Sequence, residues 1–201
     1  MGAEVGLRAS ENQGLRLYTK KRGEDSINDL FNKLGSSEFS HVQEFQYWLS
    51  GKHCKGGSPR YIYFKRELLG EMKQYYLNER AEIVKKTKTD FDGLFLNYGT
   101  RGFGTEISAR CASSVFSKYN KRVPELNNNL RYHDLRHSFL TELYYDELLD
   151  SSGNETRSES AALIVVAQRA GHTFTEKGDV PKATKIYIRL LKEMKLIEGI
   201  E

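Results

Sequence analysis

The stretch "RYHDLRHSF", residues 131–139, brings His133, Arg136 and His137 close together. Read as the start of a helix, it sets them at i, i+3 and i+4, on one face near the N-terminus. Cations there oppose the helix dipole, and a dry core would reject them. An anion or a metal ion would resolve the conflict. Phosphate suits the arrangement, because cationic side chains and the unpaired N–H groups of a helix N-terminus both favour it. The plain structural alternative has His133 capping the helix, Arg136 solvated and His137 packed in the core. Asp134 is read as helping to cap the helix.

The elements that must hold these groups are read from periodicity. "VQEFQYWLS" (42–50) alternates, with Phe45, Tyr47 and Leu49 on one face, and "RYIYFK" (60–65) is aromatic and β-branched. The Gly- and Pro-containing turn "GKHCKGGSP" between them makes the pair a β-hairpin whose loop carries Lys52, His53 and Lys55. The segment "AEVGLRASE" (3–11) reads as a helix end or tight turn, and "LFNKLG" as a short helical piece. Residues 66–87 are helical, with Leu68, Met72 and Tyr75 or Tyr76 on one side. Segment 91–104 is loop-like. Ile107, Cys111, Val115 and Tyr119 recur at helical spacing over 105–123. Leu135, Phe139, Leu143 and the pair Leu148–Leu149 place a core-facing helix over 133–149. Thr156 and Glu159 have the spacing of a capping box for a helix over 158–170, which Gly171 is placed to end. Asp179 and Pro181 announce a last helix, 181–197. The fold class expected is mainly α with a small antiparallel β-sheet, α+β.

Composition narrows the function classes. The 201 residues suffice for one sizeable domain, and 38% hydrophobic with 29% charged residues allows a packed core. A net charge of +4 is mildly basic and fits an anionic partner. Two cysteines, Cys54 and Cys111, with no CxxC, suggest a reducing compartment and no disulfide framework. No signal peptide is visible, and the longest apolar run, "AALIVVA" (161–167), is too short to span a bilayer. The expectation is a soluble, cytoplasmic protein without a membrane partner.

Four short stretches occur in a telling order: "AEVGLRASE", "HDLRHSF" (133–139), "QRAGH" (168–172) and "TKIYIR" (184–189). Together they resemble the catalytic domain of the tyrosine recombinases, the phage-integrase family. The resemblance runs from residue 6 to residue 189 and carries the family's site onto Arg8, Lys52, His133, Arg136, His172 and Tyr187. Of the boxes, "HDLRHSF" is the most specific. Two features depart from the family pattern. The interval from His172 to Tyr187 is long, and an inserted "EKGD" turn accounts for it, since surface loops tolerate insertions. The chain also has no room for the DNA-clamping domain that normally precedes this one, so residues 1–201 are expected to form a single catalytic domain.

The resemblance implies site-specific recombination of double-stranded DNA, with the phosphoryl bond kept as a 3′-phosphotyrosine, and so no ATP, metal or cofactor. The roles then follow from charge. Two non-bridging phosphate oxygens gather negative charge in the transition state, and Arg8 and Arg136 offer planar forked donors for them. One such preorganised donor is worth about 10²–10³ in rate. Lys52 is assigned as general acid for the leaving 5′-oxygen, with Lys55 as runner-up. A free tyrosine is only about 0.1% phenolate at neutral pH, so Tyr187 needs a base, and His133 is the candidate. His172 would donate a hydrogen bond to a non-bridging oxygen. Glu11 is read as orienting a cation rather than reacting, and Cys54 and Cys111 as carrying no chemistry. The assembly implied is a homotetramer on recombining DNA and a monomer when free, with segment 188–201 docking on a neighbouring subunit or packing on its own domain. A phage or other mobile element is the expected source.

Three other readings compete. "HDLRH" is His-x-x-x-His, and with His172 could hold zinc in a hydrolase, but Arg136 would set a permanent positive charge beside the ion. A non-catalytic DNA-binding module and a type IB topoisomerase would use the same fold differently.

Overall fold

The computed structural model describes residues 1–123, 130–150, 152–174, 179–182 and 184. Helix α1 (Gly2–Val5) is stopped by Gly6, which takes the left-handed conformation at φ 67°. A 3₁₀ segment, Ala9–Gly14, follows. Helix α2 (Ile27–Gly35) begins at Ser26, whose hydroxyl accepts from Asp29 N at 3.3 Å while Asp29 accepts from Ser26 N at 2.8 Å. This is a reciprocal capping box. Strands β1 (Glu44–Leu49) and β2 (Arg60–Lys65) then pair antiparallel, with Phe45 opposite Phe64, Tyr47 opposite Ile62 and Leu49 opposite Arg60.

Period-two alternation buries Phe45, Tyr47 and Leu49 of β1 with Ile62 and Phe64 of β2. The same alternation turns Arg60 inward. The hairpin packs on Leu7, Leu15, Leu17, Ile27, Leu30 and Phe31 from the N-terminal segments, and on Leu68, Leu69 and Met72 from the helix that follows. That helix runs from α3 (Arg66–Tyr75) through a π-helical turn, Tyr76–Arg80, into α4 (Ala81–Thr87). Within the π turn, Arg80 is buried and donates to the carbonyls of Phe91 at 2.6 Å and Leu94 at 3.0 Å. It thereby ties down the loop that the sequence reads at 91–104.

Helix α5 is shorter than expected, Cys111–Asn120. The residues before it are claimed by other contacts. Glu106 bridges to Leu96 and pairs with Arg16, and Ile107 O accepts from Gln13 Nε2 at 2.7 Å. Of the stripe Ile107, Cys111, Val115 and Tyr119, only the first is buried, and Val115 and Tyr119 are exposed.

Helix α6 (Tyr132–Leu148) packs on both α1 and α7 (Glu159–Ala170). Its fully buried stripe is Arg136, Leu140, Tyr144 and Leu148, one position on from the expected Leu135, Phe139 and Leu143, which are half-buried. The reason is that two partners flank the helix. Leu140, Tyr144 and Leu148 meet Ala162, Val166 and Ala170 of α7, whereas Leu135 and Phe139 lie against Gly2 and Gly6. The cap of α7 also differs from expectation. Ser158 accepts from Ala161 N at 3.3 Å, while the Thr156 hydroxyl donates back to α6, to the Glu147 and Leu148 carbonyls at 3.3 Å. Gly171 does end α7, at φ 63°. Most of the expected helix 181–197, with Tyr187 and the segment 188–201, lies outside the described residues.

Among the described residues the architecture is thus seven α-helices and a two-stranded antiparallel sheet, a mixed α+β fold. No described helix is long and apolar enough to cross a membrane. Gly6 offers a direct test of the α1–α6 junction, since a Cβ there would collide with the Phe139 ring as well as strain the backbone. Gly6→Ala should cost about 1–3 kcal/mol. Gly70→Ala in α3, where a Cβ meets open space, should be neutral or stabilising. Thermal unfolding of both variants checks the contrast.

Candidate functional site

Three segments far apart in sequence meet at one carboxylate. Glu11 sits in the 3₁₀ segment and is wholly buried. A lone buried carboxylate would be strongly disfavoured, so the fold must supply cations. Arg8 donates through Nη1 to Glu11 Oε1 at 2.8 Å, and the Arg8 N–H donates to Oε2 at 2.7 Å. Arg60, at the inward position of β2, forks onto both oxygens, with Nη1 to Oε1 at 2.7 Å and Nη2 to Oε2 at 2.8 Å. Arg136 Nη1 stands 3.9 Å from Oε2. Burial pushes the Glu11 carboxyl up, but Arg60, and then Arg8, outweigh it and hold the group at about 2. Three guanidinium groups therefore face one carboxylate, leaving an excess of positive charge.

The three arginines are not equivalent. Arg60 spends its donors on Glu11, on the Arg169 carbonyl at 3.1 Å through Nε, and on Cys54 Sγ at 3.6 Å. Arg136 is 1% exposed and donates to the carbonyls of Gly6 and Ala170. These carbonyls lie at the C-terminal ends of α1 and α7, where a cation offsets the orphan acceptors. Arg8 is different. Its side chain is 19% exposed and, among the described residues, hydrogen-bonds only through Nη1, which leaves its other nitrogens to meet a ligand. Of the two arginines expected to fork onto phosphate, Arg8 is partly exposed and Arg136 is buried.

Gly171 explains why His172 follows a glycine. A Cβ at Gly171 would sit 2.6 Å from Arg60 Cδ, and the backbone is left-handed there. His172 is thus delivered beside the cluster at the turn that ends α7. Its Nδ1 is hydrogen-bonded to Thr184 Oγ1 at 2.8 Å. Burial, and then the charges of Arg136, Arg8 and Arg60, hold its imidazole at about 4, so it is neutral at pH 7. The response to three separate arginines places His172 within their field.

His133 lies on the first turn of α6, exposed, with its ring against that of His137 at 4.5 Å. Burial, His137, Arg136 and Arg8 all lower its pKa, with Asp134 opposing them, so it too favours the neutral form. Asp134 caps α6 by accepting from Arg131 N at 2.6 Å, as the sequence indicates. Tyr132 and Asn12 tie α6 to the 3₁₀ segment, Asn12 Nδ2 donating to the Tyr132 hydroxyl at 3.1 Å. Lys52 occupies a 3₁₀ turn, Gly51–His53, is exposed, and makes no hydrogen bond or ion pair among the described residues. Its loop is anchored two residues later by buried Cys54, which contacts Arg60 and whose thiol burial pushes up. Tyr187 lies outside the described residues. No three described His, Cys, Asp or Glu side chains are grouped to hold a metal ion.

Sequence reasoning missed Arg60. The signal was present, because counting back in twos from Phe64 and Ile62 makes position 60 inward. An arginine at an inward hairpin position needs buried acceptors, which Glu11 and the Arg169 carbonyl supply. Compared with protein-family models and with curated proteins, the chain matches none.

Acid should unfold the protein in two overlapping stages. His172 is held below its ordinary 6.5, so the folded state resists protonation and stability falls as pH drops from about 6.5 to about 4. Glu11 is held below 4.5, so its contribution is present above that value and is lost as pH falls towards about 2. Unfolding midpoints measured against pH should lose the upper stage in His172→Gln. Glu11→Gln should cost about 3–5 kcal/mol at neutral pH, because it breaks a buried ion pair.

Proposed function

We infer that the chain is a tyrosine-recombinase-type catalytic domain that cleaves and rejoins double-stranded DNA through a 3′-phosphotyrosine at Tyr187. The observation that carries this reading is the convergence of Arg8 and Arg136 on Glu11, with His172 in the field of these arginines and His133 on the adjoining turn of α6. These residues come from the motifs whose order and types carry the family resemblance. The site gathers excess positive charge with one fork facing outward, which suits a tetrahedral phosphodiester.

In this reading Tyr187 Oη attacks the phosphorus, an O–P bond forms, and the bond to the 5′-oxygen breaks. His133, neutral at pH 7, takes the phenolic proton, and Lys52 gives one to the departing 5′-oxygen. Arg8 grips a non-bridging oxygen, Arg136 adds charge from below, and His172 donates a hydrogen bond. Attack by a 5′-hydroxyl of another strand reverses the step and reseals the DNA, so neither ATP nor a metal is needed. The natural setting is a homotetramer on recombining DNA in the cytoplasm, serving a phage or other mobile element. Relaxation of supercoils, as by a type IB topoisomerase, would use the same first step without strand exchange.

The test is covalent trapping on nicked suicide DNA carrying candidate element-end sequences, in EDTA. An SDS-stable protein–DNA adduct is expected with the parent chain and none with Tyr187→Phe. An adduct that survives in Tyr187→Phe would move the nucleophile to another tyrosine and overturn the assignment.

A further inference from the structure

Arg60 belongs to none of the motifs on which the proposed chemistry rests, yet all three of its guanidinium nitrogens are engaged in the cluster. Its guanidinium meets both oxygens of Glu11, its Nε holds the Arg169 carbonyl at the end of α7, and its Nη1 touches Cys54 in the hairpin loop. With its donors spent inside the fold, it is poorly placed to bind a ligand itself. What it does hold is Glu11, and Glu11 holds Arg8, the arginine of the cluster that is partly open to solvent.

We propose that Arg60 is a positioning residue: by gripping both oxygens of Glu11 it fixes the orientation from which Glu11 holds Arg8, and it ties the Lys52-bearing loop to the same point. The geometry is a relay of two ion pairs. A bidentate guanidinium–carboxylate pair fixes distance and plane together. Glu11 so fixed offers Arg8 one oxygen for the side chain and the other for the backbone N–H. Arg8 is then held from inside while its outer nitrogens stay open. Lysine could supply the charge at position 60 but not the fork. The ionised state of Glu11 depends on the same contact, since burial is the largest single influence on the carboxyl and acts against ionisation. The charged and titratable groups facing Glu11 are Arg8 from its own segment, Arg60 from β2, Arg136 and Tyr132 from α6, and Cys54 from the loop.

The test compares the full parent chain with Arg60→Gln and Arg60→Lys, and its first two readouts need no DNA. Carbon-13 NMR follows the Glu11 carboxyl against pH, and the heteronuclear NOE of Arg8 Nε–Hε reports how rigidly that side chain is held. In the parent, Glu11 should titrate at about 2 and Arg8 stay ordered from pH 4 to 8. In Arg60→Gln the titration should move above 4.5, the ordinary value, and the Arg8 signal should lose order as pH falls through it. Arg60→Lys should lie between. A Glu11 titration still at about 2 in Arg60→Gln, or an Arg8 signal equally rigid at every pH, would overturn the proposal. If Arg60→Gln does not fold, Arg60→Lys decides, an unmoved Glu11 titration again overturning it.

A third readout rests on the proposed cleavage chemistry. Relative to the parent at the same pH, the adduct rate of Arg60→Gln should fall about tenfold more at pH 5 than at neutral pH, with DNA affinity unchanged. A merely structural loss would instead scale the rate equally at every pH and overturn the proposal. If the parent forms no adduct, the cleavage chemistry fails, and the titration of Glu11 and the order of Arg8 decide the role of Arg60.

Discussion

The Glu11 carboxylate is the constraint on which the site depends. It is buried among three guanidinium groups drawn from the 3₁₀ segment, the hairpin and α6. None of these cations could be buried cheaply alone, and neither could the carboxylate. Each is tolerated because the others are present, so the ion cluster and the packing of its parent segments form together. Arg136 extends this logic to the helix ends. By donating to the Gly6 and Ala170 carbonyls it closes the termini of α1 and α7 over one charge. Gly6 and Gly171, both left-handed, stand at those termini, where the backbone comes close to Phe139 and to Arg60 respectively.

The electrostatic consequence is a graded set of groups. Glu11 stays ionised although buried, because Arg60 and Arg8 outweigh the cost of its desolvation. His172 stays neutral although it stands beside a cluster with excess positive charge, because burial and the arginines oppose its protonation. His133, at the edge of the same field, is pushed the same way. A neutral imidazole can take a proton or donate a hydrogen bond, whereas a protonated one beside three arginines would add repulsion. One cluster thus sets the protonation states that phosphoryl transfer would need at neutral pH, and it leaves Arg8 as the outward-facing fork.

Much of this was legible in the sequence. Alternation in 42–50 and 60–65 gave the hairpin and its buried face, and helical spacing gave the long helix 66–87. Gly171 marked the end of α7, and Asp134 the start of α6. Where reading failed, a tertiary contact had overridden a local pattern. The stripe of α6 was displaced because two neighbours flank that helix, so half-burial and full burial fall on adjacent rows of side chains. Thr156 looked like a cap from its spacing to Glu159 but was claimed by the Leu148 carbonyl, leaving Ser158 to cap α7. Val115 and Tyr119 keep helical spacing, yet α5 does not bury them. Arg60 was overlooked because a strand-initial arginine is ordinarily solvated. Only its parity with Ile62 and Phe64 marks it as inward.

In the proposed function Glu11 and its arginines hold a tetrahedral oxyanion, with Arg8 reaching outward and His172 beside it. Titration of the full chain with orthovanadate, followed by NMR of the Arg8 Nε–Hε and His172 ring signals, tests it most directly. The account predicts that both signals shift and saturate together at one concentration, and that neither saturates in Arg8→Ala. Saturable shifts confined to other basic residues, with Arg8 and His172 unmoved, would contradict it.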